Sequence, residues 1–335
     1  MKTTMTTPRV AFKPFDYPQM EQIWNQQWVS QWYYKKIPMQ KDISDFHQLE
    51  GHEKYIVEYV LKIFSQVECS VGTYWSSLIP KMFPKPEIMM VGKLFGAVED
   101  HHAQAYNYLN ELFGLTDFEA FLEDELAMNK LEQMINIQDK FDNGETTIED
   151  IALSLLLFSG AAEGTMLFAS FIILMSFKQR GLLVGTSQQM VYSVRDESLH
   201  SNTGILLFNM LCDENPGLRE SIEEKAFEGF KEAIDHEYAF IDQVFSQGIL
   251  EWDGDKLDAE DVKQFVAYRA AQKLEQAGYT TTHDLYEQAT IDRLDWFFKE
   301  TQEKETDFFF TQVTNYSLAD EAFYQNPFAL IDKTK

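Results

Sequence analysis

Apolar residues recur along this chain at the three- and four-residue spacing of helices, and strand-type alternation bounded by turn pairs is scarce. The pattern predicts a first helix over 17–34, where Trp24, Trp28 and Trp32 fall at i, i+4 and i+8 and form a stripe suited to packing on a larger body. Trp24 and Trp28 read as core; Trp32, in Ser-Gln-Trp-Tyr-Tyr, is set apart as a candidate for function. A second helix is expected from His52 to about Ile79, ending before Pro80. Its buried stripe is Ile56, Val60, Ile63, Phe64, Val67 and Val71, with Glu68 at the edge. Pro84 and Pro86 then break the chain, and a third helix runs from about Glu87 to Phe113, stopped by Gly114. A further amphipathic helix over 117–140 leads into the turn Asp142-Asn-Gly144.

The stretch 151–175 reads IALSLLLFSGAAEGTMLFASFIILM, and its one formal charge is Glu163. Length and hydropathy match a membrane span. The central Glu, flanked by Gly160, Ala161, Ala162 and Gly164, points instead to the innermost helix of a large bundle, and no second comparable span follows. A lone buried carboxylate takes up a proton unless it is paired or metal-bound. A fourth core helix is expected over 187–211, carrying Arg195, Asp196, Glu197 and His200. Beyond Pro216 lie amphipathic helices over 218–248, 259–276 and 283–299, whose acidic faces read as solvated surface. Residues 1–15 read as a loose arm, 16–316 as one helical body, and 317–335 as a mobile tail with a few apolar anchors suited to docking on a partner.

The chemistry sits on the third and fourth core helices. In Glu99-Asp-His-His-Ala-Gln-Ala-Tyr106, a helix puts Glu99, His102 and Tyr106 on one face, at i, i+3 and i+7. The same carboxylate–imidazole offset returns in Glu197-Ser-Leu-His200. One Glu-x-x-His is a weak signal in a chain with seven His and abundant Glu. Two copies on apolar helices are a stronger one, because dimetal carboxylate bundles combine two Glu-x-x-His helices with one extra carboxylate from each of two others. Glu68 and Glu163 complete that set, so four carboxylates and two imidazoles come from four helices.

Composition narrows the field. Lys+Arg 28 against Asp+Glu 54 gives a formal charge of -26, which argues against nucleic acid or an acidic membrane surface as partner. Cys69 and Cys212 are too few for a disulfide framework and have no metal-site spacing. With no apolar signal core in Met-Lys-Thr-Thr-Met-Thr-Thr-Pro, a reduced cytoplasmic protein is expected.

With these residues placed, the sequence resembles the small, radical-generating subunit of class I ribonucleotide reductase. The resemblance spans about Tyr17 to Tyr316 and is carried by His52-Glu-Lys through Glu68, Glu99 to Tyr106, Glu163-Gly164 with Ser170-Phe171, and Arg195-Asp-Glu-Ser-Leu-His200. It implies an all-α, ferritin-like homodimer whose dimetal centre, oxidised by an oxygen species, stores an oxidising equivalent. That equivalent passes to a separate large subunit, which reduces ribonucleotides; the small subunit does not bind the nucleotide.

By the same resemblance Glu68, Glu99 and His102 hold one metal and Glu163, Glu197 and His200 the other, with Glu99 and Glu197 bridging. Tyr106 matches the radical tyrosine. Trp32 and Asp196 match the pair that begins the electron-transfer route, and Asp196 faces about 100° away from Glu197, where it can hydrogen-bond His102 or the indole. Tyr316 matches the tail tyrosine that relays the radical between subunits, with Tyr324 as a competitor. Many members with a radical tyrosine have Asp where this chain has Glu68, and Glu there resembles the manganese-using branches. Fe/Fe with a tyrosyl radical, Mn/Fe and Mn/Mn all stay open, as does an activating flavoprotein as a further partner.

Two other readings share parts of the pattern. A dimetal oxidase or desaturase uses the same six ligands but needs no large partner, and the Asp196–Trp32 pairing and aromatic tail weigh against it. A ferritin-like metal store is usually much shorter and leaves the C-terminal half without a purpose.

Overall fold

The structure is a computed structural model that describes residues 4–116, 146–281 and 285–301, with the side chains of 65–70 outside the description. Its centre is the apolar stretch singled out above. That stretch forms one continuous helix, α5, which is α-helical over Ile148–Leu155, π-helical over Leu156–Met166 and α-helical again over Leu167–Ser176. Thr147 and Asp150 close its N-terminus as a reciprocal capping box. A helix apolar on all sides must be covered on all sides. Here 83% of its most apolar window is buried inside the protein, which is the fate of a core helix.

Helices packed around it bring the candidate ligands together. They are α3 (Gly51–Thr73), α4 (Pro86–Phe113) and α6 (Val184–Glu214), with α3 lying along α4 and α6 along the π-helical part of α5. Farther out, α7 (Glu223–Val244) and α8 (Ala259–Gln276) cover the remaining faces of α5, while α1 (Gln19–Val29) lies across α4 and α2 (Gln40–Gln48) across the start of α6. Short helices Gln288–Arg293 and Asp295–Thr301 end the described chain.

Several boundaries depart from the sequence expectation for identifiable reasons. The helix α3 does not stop at Pro80: a π turn at Tyr74–Leu78 carries it into Ile79–Met82, where Pro80 occupies a first-turn position that needs no N–H donor. The first helix ends at Val29, so Trp32 lies beyond it. Its buried stripe is Met20, Ile23 and Gln27, while Trp28 is 54% exposed and stacks edge-on against half-buried Trp24. Trp28 is therefore not core. The end of α4 is as expected: Gly114 adopts φ 75°, and Leu115 N–H returns to Asn110 O at 2.8 Å.

Two features were not anticipated. Residues Leu250–Trp252 and Asp255–Leu257 form a two-stranded hairpin whose two-residue turn, Asp253-Gly254, has positive φ at both positions. Residues 4–15, expected within a loose arm, are tied to the body at two points: Met5 is fully buried, with its N–H donating to Glu214 Oε2 at 2.9 Å, and Arg9 reaches buried Glu87. Arg9 pairs with buried Glu87 and with Asp16, and Asp16 pairs in turn with buried Lys85 at 2.8 Å. These are polar, long-range contacts, invisible to hydrophobic periodicity. The stretches 117–140 and 302–335, with the expected amphipathic helix and the tail, lie outside the described residues.

Candidate metal centre

Each side chain reaches the interior because of a local property of its helix. On α4, Glu99, His102 and Tyr106 are all fully buried on the face turned to α6 and α3, and on α6 the same is true of Glu197 and His200. Glu163 sits in the π-helical part of α5, where the added residue per turn re-aims side chains; π segments of this kind mark functional sites. Small neighbours let that wide segment pack closely. A Cβ on Gly160 would meet Phe230 of α7, and one on Gly164 would overlap Ser201 of α6 and crowd Lys273 of α8. Glu68 lies on α3, within the stretch whose side chains are outside the description.

Ligand atoms of Glu99, Glu163, Glu197 and His200 lie within 4.8 Å of one another, and all four residues are fully buried. His102 Nδ1 is 2.9 Å from both Glu99 Oε2 and Glu197 Oε1. His200 Nδ1 lies against Glu99 Oε1 and 3.9 Å from Glu197 Oε2. Both imidazoles thus turn Nδ1 inward, and each outer nitrogen has its own partner. The His102 Nε2–H donates to Asp196 Oδ2 at 3.1 Å, and His200 Nε2 is 3.0 Å from Gln27 Oε1.

A proton inventory fixes the roles of these nitrogens. The Asp196 carboxylate only accepts, so it must face the Gln27 amide nitrogen, 2.8 Å from Oδ1. Gln27 therefore presents its oxygen to His200, whose Nε2 must carry the proton. That leaves Nδ1 of both histidines as the nitrogens that could take a metal, each ring oriented from behind by Asp196 or Gln27.

Residues 9–289 match the family model of the ribonucleotide reductase small chain. The chain belongs to the ribonucleotide reductase small-chain family. It is 31% identical over 295 residues, 83% of its own length and 77% of the other's, to a probable ribonucleoside-diphosphate reductase small subunit of Invertebrate iridescent virus 3. It is 24% identical over 310 residues, covering 87% of this chain and 85% of the relative, to the ribonucleoside-diphosphate reductase subunit beta of Chlamydia pneumoniae. The fold is shared with the ribonucleotide reductase R2 subunit of Clostridium botulinum, at a TM-score of 0.76 and 20% identity over 87% of this chain and 94% of that one. It is shared too with the dimanganese(II)-NrdF of Streptococcus sanguinis, at 0.68 and 17%, over 86% and 99%. The protein is a small subunit of ribonucleoside-diphosphate reductase with a ferritin-like fold, and membership implies a large-subunit partner and a dimer.

Electrostatics of this small-subunit site fit a bound cation. Burial raises the Glu99 carboxyl, but the His200 and His102 charges outweigh it and hold the group down to about 2. Burial and the Glu99 charge together push Glu197 up to about 7, against the pull of the histidines. Burial lowers both imidazoles, yet Glu99 keeps His200 above its ordinary value and His102 well above it. Among the described residues, Glu99 and Glu197 form ion pairs with these two histidines alone. Protons on the imidazoles therefore stand where metal cations would, and carboxylate oxygens with imidazole nitrogens are the donors that Fe and Mn take.

Around the centre, the structure places most of the other expected residues. The Trp32 indole N–H donates to Asp196 Oδ2 at 2.8 Å, and its ring lies 5.9 Å from that of His102. The other side of Trp32 faces a cavity of about 510 Å³, shared with Tyr33, Lys36, Gln188 and Tyr192. Tyr106 is fully buried, 4.5 Å from the Phe64 ring and 6.2 Å from His102 between centroids. Tyr316 and Tyr324 lie outside the described residues. Sequence reasoning missed Gln27 and Trp75, whose indole N–H donates to Glu163 Oε1. Both had a positional signal: Gln27 is i+4 from Ile23 on the buried face of α1, and Trp75 is i+7 from Glu68.

Proposed function

We propose that Glu68, Glu99, His102, Glu163, Glu197 and His200 hold two metal ions per chain, and that the oxidising equivalent kept there leaves through Asp196, Trp32 and the tail residue Tyr316 to the large subunit. The observation that carries this reading is the inward turn of both Nδ1 atoms onto buried carboxylates, with each Nε2 tied from behind. When bound, the ions supply one-electron oxidising power. Fe/Fe, Mn/Fe and Mn/Mn all suit the donor set, and Glu68 in place of Asp favours manganese. Tyr106, one turn beyond His102 and walled by Phe64, is the side chain placed to share the equivalent.

The chain's own residues do the rest. Asp196 Oδ2 accepts from both the Trp32 indole and His102, so ring and ligand share one acceptor atom and a proton leaving the indole has a fixed destination. Burial of the cluster excludes water that would quench an oxidised side chain. The segment 317–335 docks on the large subunit, the active unit is a homodimer in the cytoplasm, and an activating flavoprotein is a further partner where the ions are manganese.

The test is turnover with the cognate large subunit. The wild-type chain supports reduction of ribonucleotides, whereas Trp32→Phe and Tyr316→Phe abolish it and keep full metal content. Normal turnover in both variants overturns the transfer route.

A further inference from the structure

We infer that Trp75 is a positioning residue of the metal centre: its indole N–H holds one oxygen of Glu163 and so sets how that carboxylate is presented to an ion. The inference rests on the ligand reading above and goes beyond it by assigning a fixed donor to one carboxylate of the set.

Trp75 and Glu163 are both fully buried, and each stands on an irregular turn, Trp75 on the π turn Tyr74–Leu78 and Glu163 on the π segment Leu156–Met166. On α3, Gly72 and Trp75 follow Glu68 at i+4 and i+7, the spacing of one helix face. Gly72 approaches Glu99, since a Cβ there would sit 3.4 Å from the Glu99 Cβ, so α3 runs close beside the site just before Trp75.

The close approach of the turn is built in. A Cβ on Gly92 of α4 would lie 2.6 Å from the Trp75 carbonyl oxygen, and one on Gly96 would lie 2.6 Å from Ser76 Cβ. Once there, the indole is gripped. The Phe95 ring meets it edge-on at 4.9 Å, and His200 lies 6.0 Å away. Tyr74, the preceding residue, stacks on Phe158 at 3.6 Å. A side chain so confined has one rotamer to offer, and its N–H goes to Glu163 Oε1.

The consequence separates Glu163 from Glu99 and Glu197. Glu99 has one oxygen against each imidazole, and Glu197 likewise lies between the two. Both are arranged to serve two ions. In Glu163, Oε1 accepts from a neutral donor held in place by Phe95, which fixes the direction in which this carboxylate would face an ion. Partners of this kind, behind a ligand, typically change metal affinity by about 10–100-fold when removed.

The test is a titration of metal-free, full-length protein with Mn(II), followed by electron paramagnetic resonance, with the melting temperature of the metal-free chain as control. The wild-type chain takes up two ions. Trp75→Phe keeps the first at wild-type affinity and weakens the second by about 10–100-fold. Placing 3-benzothienylalanine at position 75, a ring of the same shape with sulfur for N–H, separates donor from packing and gives the same selective loss. It also serves as the test should Trp75→Phe misfold. Two ions at unchanged affinity with this isostere overturn the inference and leave the ligand reading intact. Fewer than two ions on the wild-type chain overturn both.

Discussion

Asp196→Asn exposes the logic of the site, because it removes one charge and reverses one hydrogen-bonding edge without changing shape. Asp196 is 1% exposed and accepts from Gln27 on Oδ1 and from Trp32 and His102 on Oδ2. An amide can keep only one accepting edge. Placing its nitrogen at the Oδ2 position would oppose two donors, so the cheaper arrangement keeps Trp32 and His102 and sets the new nitrogen against the Gln27 amide nitrogen. Turning Gln27 over relieves that clash but points its nitrogen at His200 Nε2–H, 3.0 Å away. His200 must then give up its Nε2 proton and keep one on Nδ1, the atom that would bind metal.

Without that turn one buried donor is left unpaired, at a cost of about 1–3 kcal/mol, and with it the metal-free chain loses the imidazolium charge that faces Glu99 and Glu197. At roughly 2–4 °C per kcal/mol for a chain of a few hundred residues, the metal-free protein should melt about 2–12 °C lower. Metal affinity should fall about 10–100-fold, as expected for loss of an orienting partner. Differential scanning fluorimetry and metal analysis after limited loading measure both, and turnover with the large subunit should drop below a hundredth. Gln27→Leu combined with Asp196→Asn should cost less than the two single changes added together, since both act on one network. Wild-type melting and wild-type metal affinity in Asp196→Asn would refute the chain of acceptors from Asp196 through Gln27 to His200.

Other expectations follow from the same contacts. The metal-free chain should lose stability as pH rises from about 5 through 7: Glu197 has its folded pKa raised to about 7, and both histidines are raised, so each contributes stability at low pH that is lost as pH climbs through the folded value. Glu99, held down to about 2, contributes above its ordinary value and loses that contribution only as pH falls toward 2. Thermal melts across pH check this, and metal loading, by replacing those protons, should flatten the decline. Arg9→Ala should lower stability by about 1–3 kcal/mol in chemical unfolding, because among the described residues Glu87 stays buried with only the Asp16 and Tyr17 N–H groups as partners. Asp42→Ala should cost about 1–2 kcal/mol by the same measurement, since Asp42 caps the start of α6 by accepting from the Gly185 N–H at 3.0 Å and from the Thr186 N–H and hydroxyl.

What was legible in the chain was whatever has a helical period. The two Glu-x-x-His pairs, the isolated Glu163 and the span of α4 and α8 all follow from spacing, because an α-helix converts sequence offset directly into a shared face. The π segments were not legible. They arise where helix packing rewards an inserted residue, and nothing in residues 74–78 or 156–166 has a composition that demands one. Trp32 was singled out by the family resemblance and not by spacing: the helix expected to carry it ends at Val29, and its place at Asp196 comes from the non-helical link that follows. Gln27 was hidden for the opposite reason: a polar residue on an apolar face reads as a boundary, unless a buried acceptor elsewhere in the chain is known. The hairpin was within reach, since Asp253-Gly254 between Trp252 and Leu257 is a turn signal of the kind that favours two-residue loops.

The most direct test of the central claim is a crystal of this protein loaded with Mn(II), measured at the manganese absorption edge. Two anomalous peaks per chain, both between Glu99 and Glu197, one beside His102 and the other beside His200 and Glu163, are the expected result. A single peak, or peaks on the acidic surface with the carboxylate and histidine cluster left to its protons, would contradict it.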